Sequence, residues 1–218
     1  MEIFIDSADR DQVRRAVTLG WVDGATTNPT LLARAGGSMR AAIAEIAALV
    51  PGPVSAEVLA DDTEGMVAEG KKLAAIAPNV VVKVPLTEAG LAAVRALSAA
   101  KIATNVTLCF STVQALLAAK AGATYVSPFV GRLDDAGHDG MALVEEIVAV
   151  LRTYGRTTRV LAASIRHPAH VRRAALCGAH AVTAPLGVLE RLCHHPMTDA
   201  GLARFAADAA AAGLTTDG

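Results

Sequence analysis

Short apolar runs rich in β-branched residues recur along the chain, and Ala- and Leu-rich segments separate them. The separating segments, such as residues 38–50 and 111–122, carry apolar residues at helical spacing. Runs of β-branched residues bounded by turn residues indicate strands. The pattern predicts eight strands, at residues 2–6, 24–28, 54–58, 80–84, 102–108, 124–130, 159–164 and 181–185.

Alternation of strands and helices is typical of a parallel sheet, because each parallel connection must cross back over the sheet. Eight such units predict an α/β fold of the (β/α)8 TIM-barrel type, as a single domain over residues 1–218. An amphipathic segment at about 198–214 predicts an extra C-terminal helix, with Thr198 as its candidate N-cap. Residues 131–140 predict a long loop. The alternative is an open doubly wound sheet, although no GxGxxG motif follows the first strand.

Composition narrows the classes of function. With 53% apolar residues, the 218-residue chain can bury a large core. A net charge of −1 argues against a nucleic-acid partner and against binding to an anionic membrane surface. No uncharged apolar run reaches the ~18 residues of a membrane span, and the N-terminal residues do not resemble a signal peptide. Three widely spaced cysteines fit neither a disulfide framework nor a zinc site, so we expect a cytoplasmic location.

Lys83 interrupts the valine-rich run VVVKV and is the only one of five lysines inside a predicted strand. An ammonium group is costly to bury unless it is paired or loses its proton. A neutral amine can attack a carbonyl carbon and form a Schiff base. The alternative is structural, with Lys83 neutralised by Glu57 of the neighbouring strand in a buried ion pair.

Polar residues collect at the C-terminal ends of the predicted strands, which is where barrel enzymes place their chemistry. Asp6 and Glu57 are the acids there, and a carboxylate beside an imine can move protons. Alone, Asp6 is equally well explained as a helix N-cap, and Asn28 as a turn former before Pro29. The remaining polar residues at these ends are Asn105, Thr107, Ser127 and Ser164.

A phosphate site is predicted beyond strands six and seven. Ser164 and Arg166 follow strand seven, and Arg132 follows strand six. Loops after the late strands of a barrel often bind phosphate, and arginine binds it bidentately. For either arginine alone, a solvated surface charge is the simpler explanation. The histidines at 167, 170, 194 and 195 make no metal-ligand pattern with these residues, and Cys109 is expected in the core.

Eight motifs resemble, in order and spacing, the small transaldolase family, which includes the fructose-6-phosphate aldolases. They are IDSAD, GATTNPTLL, AEV, VVVKVPLT, NVTLCFS, VSPFVGR, LAASIR and GAHAVTAP. The resemblance implies a class I aldolase-type barrel that needs no metal and no other cofactor. It assigns the Schiff base to Lys83 and acid/base work on the sugar hydroxyl to Asp6. Glu57 and Thr107 correspond to the pair that holds a catalytic water.

The resemblance also implies substrate contacts. Asn28 and Asn105 correspond to groups that orient a dihydroxyacetone unit, and Ser127 to another sugar contact. The phosphate site corresponds to Arg132, Ser164 and Arg166. Sugar phosphates are therefore the expected substrates, and a homo-oligomer, a pentamer or decamer, is the expected assembly.

Two positions divide the family by activity. Aldolase members typically carry glutamine at the position of Glu57 and tyrosine at that of Phe129. The residues here favour a transaldolase of the non-oxidative pentose phosphate pathway. It would move a dihydroxyacetone unit from sedoheptulose 7-phosphate or fructose 6-phosphate to glyceraldehyde 3-phosphate or erythrose 4-phosphate.

Three alternatives stay open from the sequence. The first is a fructose-6-phosphate aldolase that releases free dihydroxyacetone. The second is a phosphosugar isomerase or epimerase in which Glu57 is the base and Lys83 acts only through its charge. The third is a non-catalytic barrel that binds sugar phosphates with its arginines.

Overall fold

The computed structural model describes residues 1–216, and within that range eight parallel strands close into a barrel in sequence order. The predicted TIM barrel is therefore confirmed, and the open doubly wound sheet is wrong. The strands are β1 Glu2–Asp6, β2 Gly24–Thr26, β3 Val54–Glu57, β4 Val80–Pro85, β5 Thr104–Cys109, β6 Tyr125–Pro128, β7 Arg159–Ala162 and β8 Ala181–Ala184.

Helices cover the outside of the barrel. Several begin at the side chain of an Asp, Asn, Ser or Thr that accepts hydrogen bonds from the free N–H groups of the first turn, as Asp62 and Ser111 do. The helices of the described chain are α1 Arg10–Thr18, α2 Pro29–Ala35, α3 Met39–Leu49, α4 Thr63–Ala74, α5 Glu88–Ala99, α6 Thr112–Ala121, α7 Val130–Asp135, α8 Gly140–Thr153, α9 Pro168–Cys177, α10 Leu186–Leu192 and α11 Pro196–Ala211.

Two layers of apolar side chains form the core. The larger lies between the strands and the surrounding helices and includes Ile43, Ile147 and Leu189. The smaller consists of Phe4, Val81, Tyr125, Leu161, Ala163 and Ala181. Phe4 and Val81 lie two residues before Asp6 and Lys83, so each pair points to the same side of its strand. The smaller cluster therefore forms an apolar floor beneath polar strand ends.

Several predicted boundaries are wrong. The predicted 131–140 loop contains most of α7, and strand five begins at Thr104 rather than at residue 102. The C-terminal helix exists, but it runs over Pro196–Ala211, and His195 rather than Thr198 caps it. Proline suits the first turn of a helix because the N–H it lacks has no partner there. The last two residues of the predicted 1–218 domain lie outside the described range.

Strand ends differ from the predictions in a way that bears on the site. β2 ends at Thr26, β6 at Pro128 and β7 at Ala162, so the predicted strands 24–28, 124–130 and 159–164 are each too long. Asn28, Phe129 and Ser164 therefore lie on the loops after their strands. Within residues 1–216, no helix has both the length and the apolar character to span a membrane.

Candidate active site

A cavity of about 540 Å³ opens at the C-terminal ends of the strands. Its walls include every residue that the sequence analysis proposed for catalysis or substrate binding. These are Asp6, Asn28, Glu57, Lys83, Asn105, Thr107, Ser127, Phe129, Arg132, Ser164 and Arg166. Residues up to 160 positions apart therefore border one space, and their chemistry can act on one ligand.

Lys83 lies on β4 and is only 6% exposed. Its Nζ is 3.0 Å from Glu57 Oε2 and donates a hydrogen bond of 3.1 Å to the carbonyl oxygen of Thr27. The buried ion pair, the structural alternative, is therefore present. It is compatible with nucleophilic chemistry, because the carboxylate that pairs with the ammonium is also placed to accept its proton.

The strand register explains why these groups meet. Glu57 is the Cα partner of Lys83 in the β3–β4 pair, and Lys83 is the partner of Asn105 in the β4–β5 pair. Three neighbouring strands thus present a carboxylate, an amine and an amide at the same height. Side chains at one height on adjacent strands are in direct contact range.

Asp6 ends β1, and its Oδ1 accepts a hydrogen bond of 2.7 Å from Thr26 Oγ1. Burial raises the pKa of Asp6, while the Thr26 hydrogen bond and the charge of Lys83 act in the opposite direction. A raised pKa suits a carboxyl group that must both take and return a proton near neutral pH. The N-cap alternative for Asp6 is wrong, because Asp9 caps α1.

Asn105 is fully buried and its amide is fixed on both sides. Its Oδ1 accepts from Ser127 Oγ at 2.7 Å, and its Nδ2 donates to Ser55 Oγ at 3.0 Å. The three side chains come from β5, β6 and β3. β5 and β6 are neighbours, and β4 lies between β3 and β5. Because both ends of the amide are held, Asn105 presents a rigid polar face to the cavity.

Thr107 has a buried hydroxyl with no hydrogen-bond partner in residues 1–216. A buried polar group without a hydrogen-bond partner lowers the stability of the fold, and an ordered water usually supplies the missing hydrogen bond. The residue after it, Leu108, has a φ of 58°, and the register of β5 against β6 shifts between Val106 and Cys109. A leucine in the left-handed region is strained, and such strain gathers at functional sites.

Asn28 is the N-cap of α2, with its Oδ1 accepting from the Leu31 N–H at 2.9 Å. Asn28 thus caps a helix and does not form a turn, so the turn-former interpretation is wrong. The cap uses the carbonyl oxygen of the side chain, and Asn28 also lines the cavity.

Arg166 and Ser164 follow β7, and Arg132 lies on α7. Arg166 Nη2 is 2.7 Å from Asp135 Oδ2, and both side chains are more than half exposed. Ser164 has a φ of 59°, and its carbonyl accepts from the Gly131 N–H at 2.9 Å. A Cβ at Gly131 would lie 2.4 Å from that oxygen. Glycine therefore lets α7 approach the β7 loop, which places both arginines on one wall.

Phe129 directly precedes α7. Its ring packs edge-to-face on Phe110 at 5.8 Å between centroids, and the guanidinium carbon of Arg132 lies 5.0 Å from its centroid. A cation over a ring face is attracted by the ring quadrupole. Phe129 therefore serves both as an apolar wall of the cavity and as a support for Arg132.

The histidines and Cys109 take other places. His170 is buried beside the arginine wall: its Nε2 is 3.0 Å from Asp134 Oδ2, and its Nδ1 accepts from the Arg166 N–H at 3.4 Å. Burial lowers the pKa of His170, so the neutral ring that makes these bonds is favoured. Cys109 is in the core, as predicted, and burial raises the pKa of its thiol to about 11.

The sequence profile of the Transaldolase/Fructose-6-phosphate aldolase family matches residues 3–217. The chain belongs to this family. It is 58% identical over 209 residues to a probable transaldolase of Sorangium cellulosum, with 96% of this chain and 97% of the relative covered. A probable transaldolase of Caulobacter sp. (strain K31) is 58% identical over 213 residues, covering 98% of each chain. One from Shouchella clausii is 55% identical over 208 residues, covering 95% and 96%.

The cavity of this transaldolase/fructose-6-phosphate aldolase family member has further walls that the sequence analysis missed. They are Thr26, Arg34, Leu108 and Thr183, among others. Thr26 and Thr183 each lie two residues before the end of a predicted strand, on the side that its last residue faces, so their position was a usable signal. Arg34 lies within a helix, where nothing in the local pattern separates it from a solvated charge.

Proposed function

We propose that this protein is a transaldolase that transfers a dihydroxyacetone unit between sugar phosphates through a Schiff base on Lys83. The observation that carries the proposal is the buried amine of Lys83 on the cavity wall, 3.0 Å from Glu57. The names of the relatives, at 55–58% identity, support the same activity. The arginine wall supports a phosphorylated substrate.

Imine formation begins with transfer of the Lys83 ammonium proton to Glu57. The neutral amine then attacks C2 of the ketose, and the proton that the nitrogen gives up passes to the former carbonyl oxygen. Loss of that oxygen as water, with the proton held by Glu57, gives the protonated imine. The unpaired hydroxyl of Thr107 and the carboxyl group of Glu57 are proposed to hold this water, which returns when the imine is hydrolysed.

Cleavage follows at C3–C4. Asp6 takes the proton of the C4 hydroxyl, the C3–C4 bond breaks, and its electron pair moves into the protonated imine. An aldose phosphate leaves, and an enamine stays on Lys83. The enamine carbon then attacks the carbonyl carbon of a second aldehyde. Asp6 returns its proton to the oxygen of that aldehyde, which becomes the new hydroxyl. The raised pKa of Asp6 suits both directions.

The other residues that line the cavity are proposed to orient the substrate. The fixed amide of Asn105, with Ser127 and Asn28, is proposed to bind the hydroxyls of the dihydroxyacetone unit. Arg166, Arg132 and Ser164 are proposed to bind the phosphate of donor and acceptor. Donors would be sedoheptulose 7-phosphate or fructose 6-phosphate, and acceptors glyceraldehyde 3-phosphate or erythrose 4-phosphate, as in the non-oxidative pentose phosphate pathway. We place the reaction in the cytoplasm, which the free cysteines support.

Two measurements test the proposed function. The first follows formation of erythrose 4-phosphate from sedoheptulose 7-phosphate and glyceraldehyde 3-phosphate by the purified protein. The second treats the protein with borohydride in the presence of dihydroxyacetone and maps the adduct by mass spectrometry. Adduct at Lys83 with turnover supports the proposal. Turnover of a phosphosugar without an adduct indicates an isomerase or epimerase, and phosphate binding alone indicates a non-catalytic barrel.

Phe129→Tyr should raise the ratio of fructose 6-phosphate cleavage to transfer severalfold. Release of free dihydroxyacetone requires a proton at the enamine carbon and then water, and the phenyl ring supplies neither. The added hydroxyl can donate a proton or hold a water. A well-placed proton donor contributes ~10²-fold. The added hydroxyl is not placed by the surrounding residues for this step, so the expected change is smaller. Both activities are measured on the purified variant.

Phe110→Tyr is the matched control, because Phe110 packs against Phe129 and does not line the cavity. An unchanged ratio in Phe129→Tyr with a normal melting temperature would show that the choice between transfer and release is set elsewhere.

We propose a homo-oligomer as the working assembly. Helix α11 supports this, because within the described chain none of its residues is buried, and Leu202 and Phe205 are 63% and 71% exposed. Large apolar side chains on a helix without intramolecular packing are typical of an interface. Phe205→Glu should lower the mass found by light scattering, whereas Arg204→Ala should not. An unchanged mass would show that α11 does not hold subunits together.

A further inference from the structure

Two buried threonines join the ends of β2 and β8 beside Asp6. Thr26 is the Cα partner of Asp6 in the β1–β2 pair, and Thr183 is the partner of Phe4 in the β1–β8 pair. Each is 3% exposed, and both line the cavity. Thr26 Oγ1 lies 2.7 Å from Asp6 Oδ1 and 2.6 Å from Thr183 Oγ1. The three oxygens therefore form a short chain that ends on the carboxyl group.

The number of protons on these groups fixes the direction of hydrogen-bond donation along the chain of oxygens. A threonine hydroxyl has one proton to donate. An ionised Asp6 only accepts, so the proton of Thr26 goes to Asp6 Oδ1. The 2.6 Å contact between the two hydroxyls must then use the proton of Thr183. Thr183 therefore donates to Thr26, and Thr26 donates to Asp6.

A chain with one direction is stronger than its separate bonds, because each donation polarises the next hydroxyl. It also engages Oδ1 and leaves Oδ2 of Asp6 as the oxygen without a hydrogen bond in residues 1–216. Lys83 and Glu57 are the charged groups that act on Asp6 from the other strands, with opposite signs. Thr26 and Thr183 thus act on Asp6 through hydrogen bonds and not through charge.

We propose that Thr183 is a positioning residue that acts on Asp6 through Thr26. The chain holds the carboxyl group so that Oδ2 exchanges the proton with the sugar hydroxyl while Oδ1 stays bonded. No proton leaves either threonine, so the only atom transferred is the substrate hydroxyl proton. The proposal rests on the proposed function for the identity of that hydroxyl, but not for the state of the free carboxyl group.

Removing each link should therefore shift the titration of Asp6 by a graded amount. Thr26→Val removes a hydrogen bond to a charged group, so the pKa of Asp6 should rise by roughly one to two units. Thr183→Val removes only the polarisation, which is about 10–30% of one bond, so a rise of the Asp6 pKa by a few tenths of a unit is expected. Thr183→Ser keeps the hydroxyl and should restore the original value.

The experiment follows the Asp6 carboxyl carbon by NMR from about pH 3 to 9 in the free full-length protein. The acid limb of kcat should move to higher pH in the same order. Thr153→Val is the control, because its hydroxyl bonds only the Ala149 carbonyl on the exposed face of α8. Thr183→Ala gives a second removal of the hydroxyl in case valine disturbs the barrel.

The outcomes are separable. Graded shifts, with rescue by serine, support the proposal. An unchanged Asp6 titration in folded Thr183→Val and Thr183→Ala would overturn it, even if activity falls. If the carboxyl titration shifts but kcat shows no acid limb in any variant, the positioning of Asp6 stands and its assigned part in the proposed reaction fails.

Discussion

Lys83→Met should abolish turnover while the barrel stays folded. Methionine has a similar volume to lysine and suits the apolar strand around it. Without the amine no imine forms, and the C3–C4 bond has no electron sink. Loss of a covalent nucleophile lowers kcat by ~10⁶-fold in a well-studied hydrolase, and we expect at least ~10³-fold here. The assay is transfer from fructose 6-phosphate, together with borohydride trapping.

The structure adds a complication to this variant. Lys83→Met leaves Glu57 without its cation, and removing one partner of a buried ion pair is destabilising. We therefore expect a lower melting temperature for Lys83→Met and partial recovery in Lys83→Met/Glu57→Gln, which removes the uncompensated charge. Lys71→Met, at an exposed lysine of α4, is the control for the loss of an amine. Activity of Lys83→Met within about tenfold of the parent would rule out the Schiff base.

Arg166→Ala should weaken the binding of phosphorylated ligands far more than the binding of dihydroxyacetone. A hydrogen bond to a charged group contributes about 1.5–3 kcal/mol, so the loss for glyceraldehyde 3-phosphate should be roughly 10- to 150-fold. Dihydroxyacetone carries no phosphate, and its imine at Lys83 should form with nearly unchanged affinity. The measurements are KM for the phosphorylated acceptor and the concentration dependence of borohydride trapping by dihydroxyacetone.

Because Arg166 forms an ion pair with Asp135, the control variants must account for the carboxylate that Arg166→Ala leaves unpaired. In Arg166→Ala the Asp135 carboxylate loses its cation and repels phosphate, which enlarges the measured loss. Arg166→Ala/Asp135→Asn removes that repulsion and isolates the direct contribution of the guanidinium. Arg152→Ala, at an exposed arginine of α8, should change neither ligand. Equal losses for both ligand types in Arg166→Ala would assign Arg166 to the fold instead of to phosphate.

The alternation of apolar strands and amphipathic helices determined the barrel without any tertiary information. Burial on both faces of a parallel strand demands a run of apolar residues, so an interruption such as Lys83 is visible in the sequence. Because every strand of such a barrel points the same way, residues at the strand ends share one rim. That is why the eleven proposed residues of the site border one cavity although they span residues 6 to 166.

Local boundaries were less well predicted, for a physical reason. Asn28, Phe129 and Ser164 lie within the predicted strands 24–28, 124–130 and 159–164, but the barrel ends its strands before them. The end of a strand is set by where its neighbour stops pairing, which is a property of two segments. The cap of α11 at His195 shows the same limit, because Thr198 is the better N-cap by residue type and Pro196 decides the start.

The fold class, the rim and the buried position of Lys83 could thus be predicted from the sequence, because each follows from the periodicity within single segments. The contacts between these groups could be seen only in the folded barrel. The pairing of Glu57 with Lys83, the raised pKa of Asp6 and the direction of the Thr183–Thr26 chain depend on register around a closed sheet. Register is fixed by the closure of all eight strands together, and no single segment carries that information.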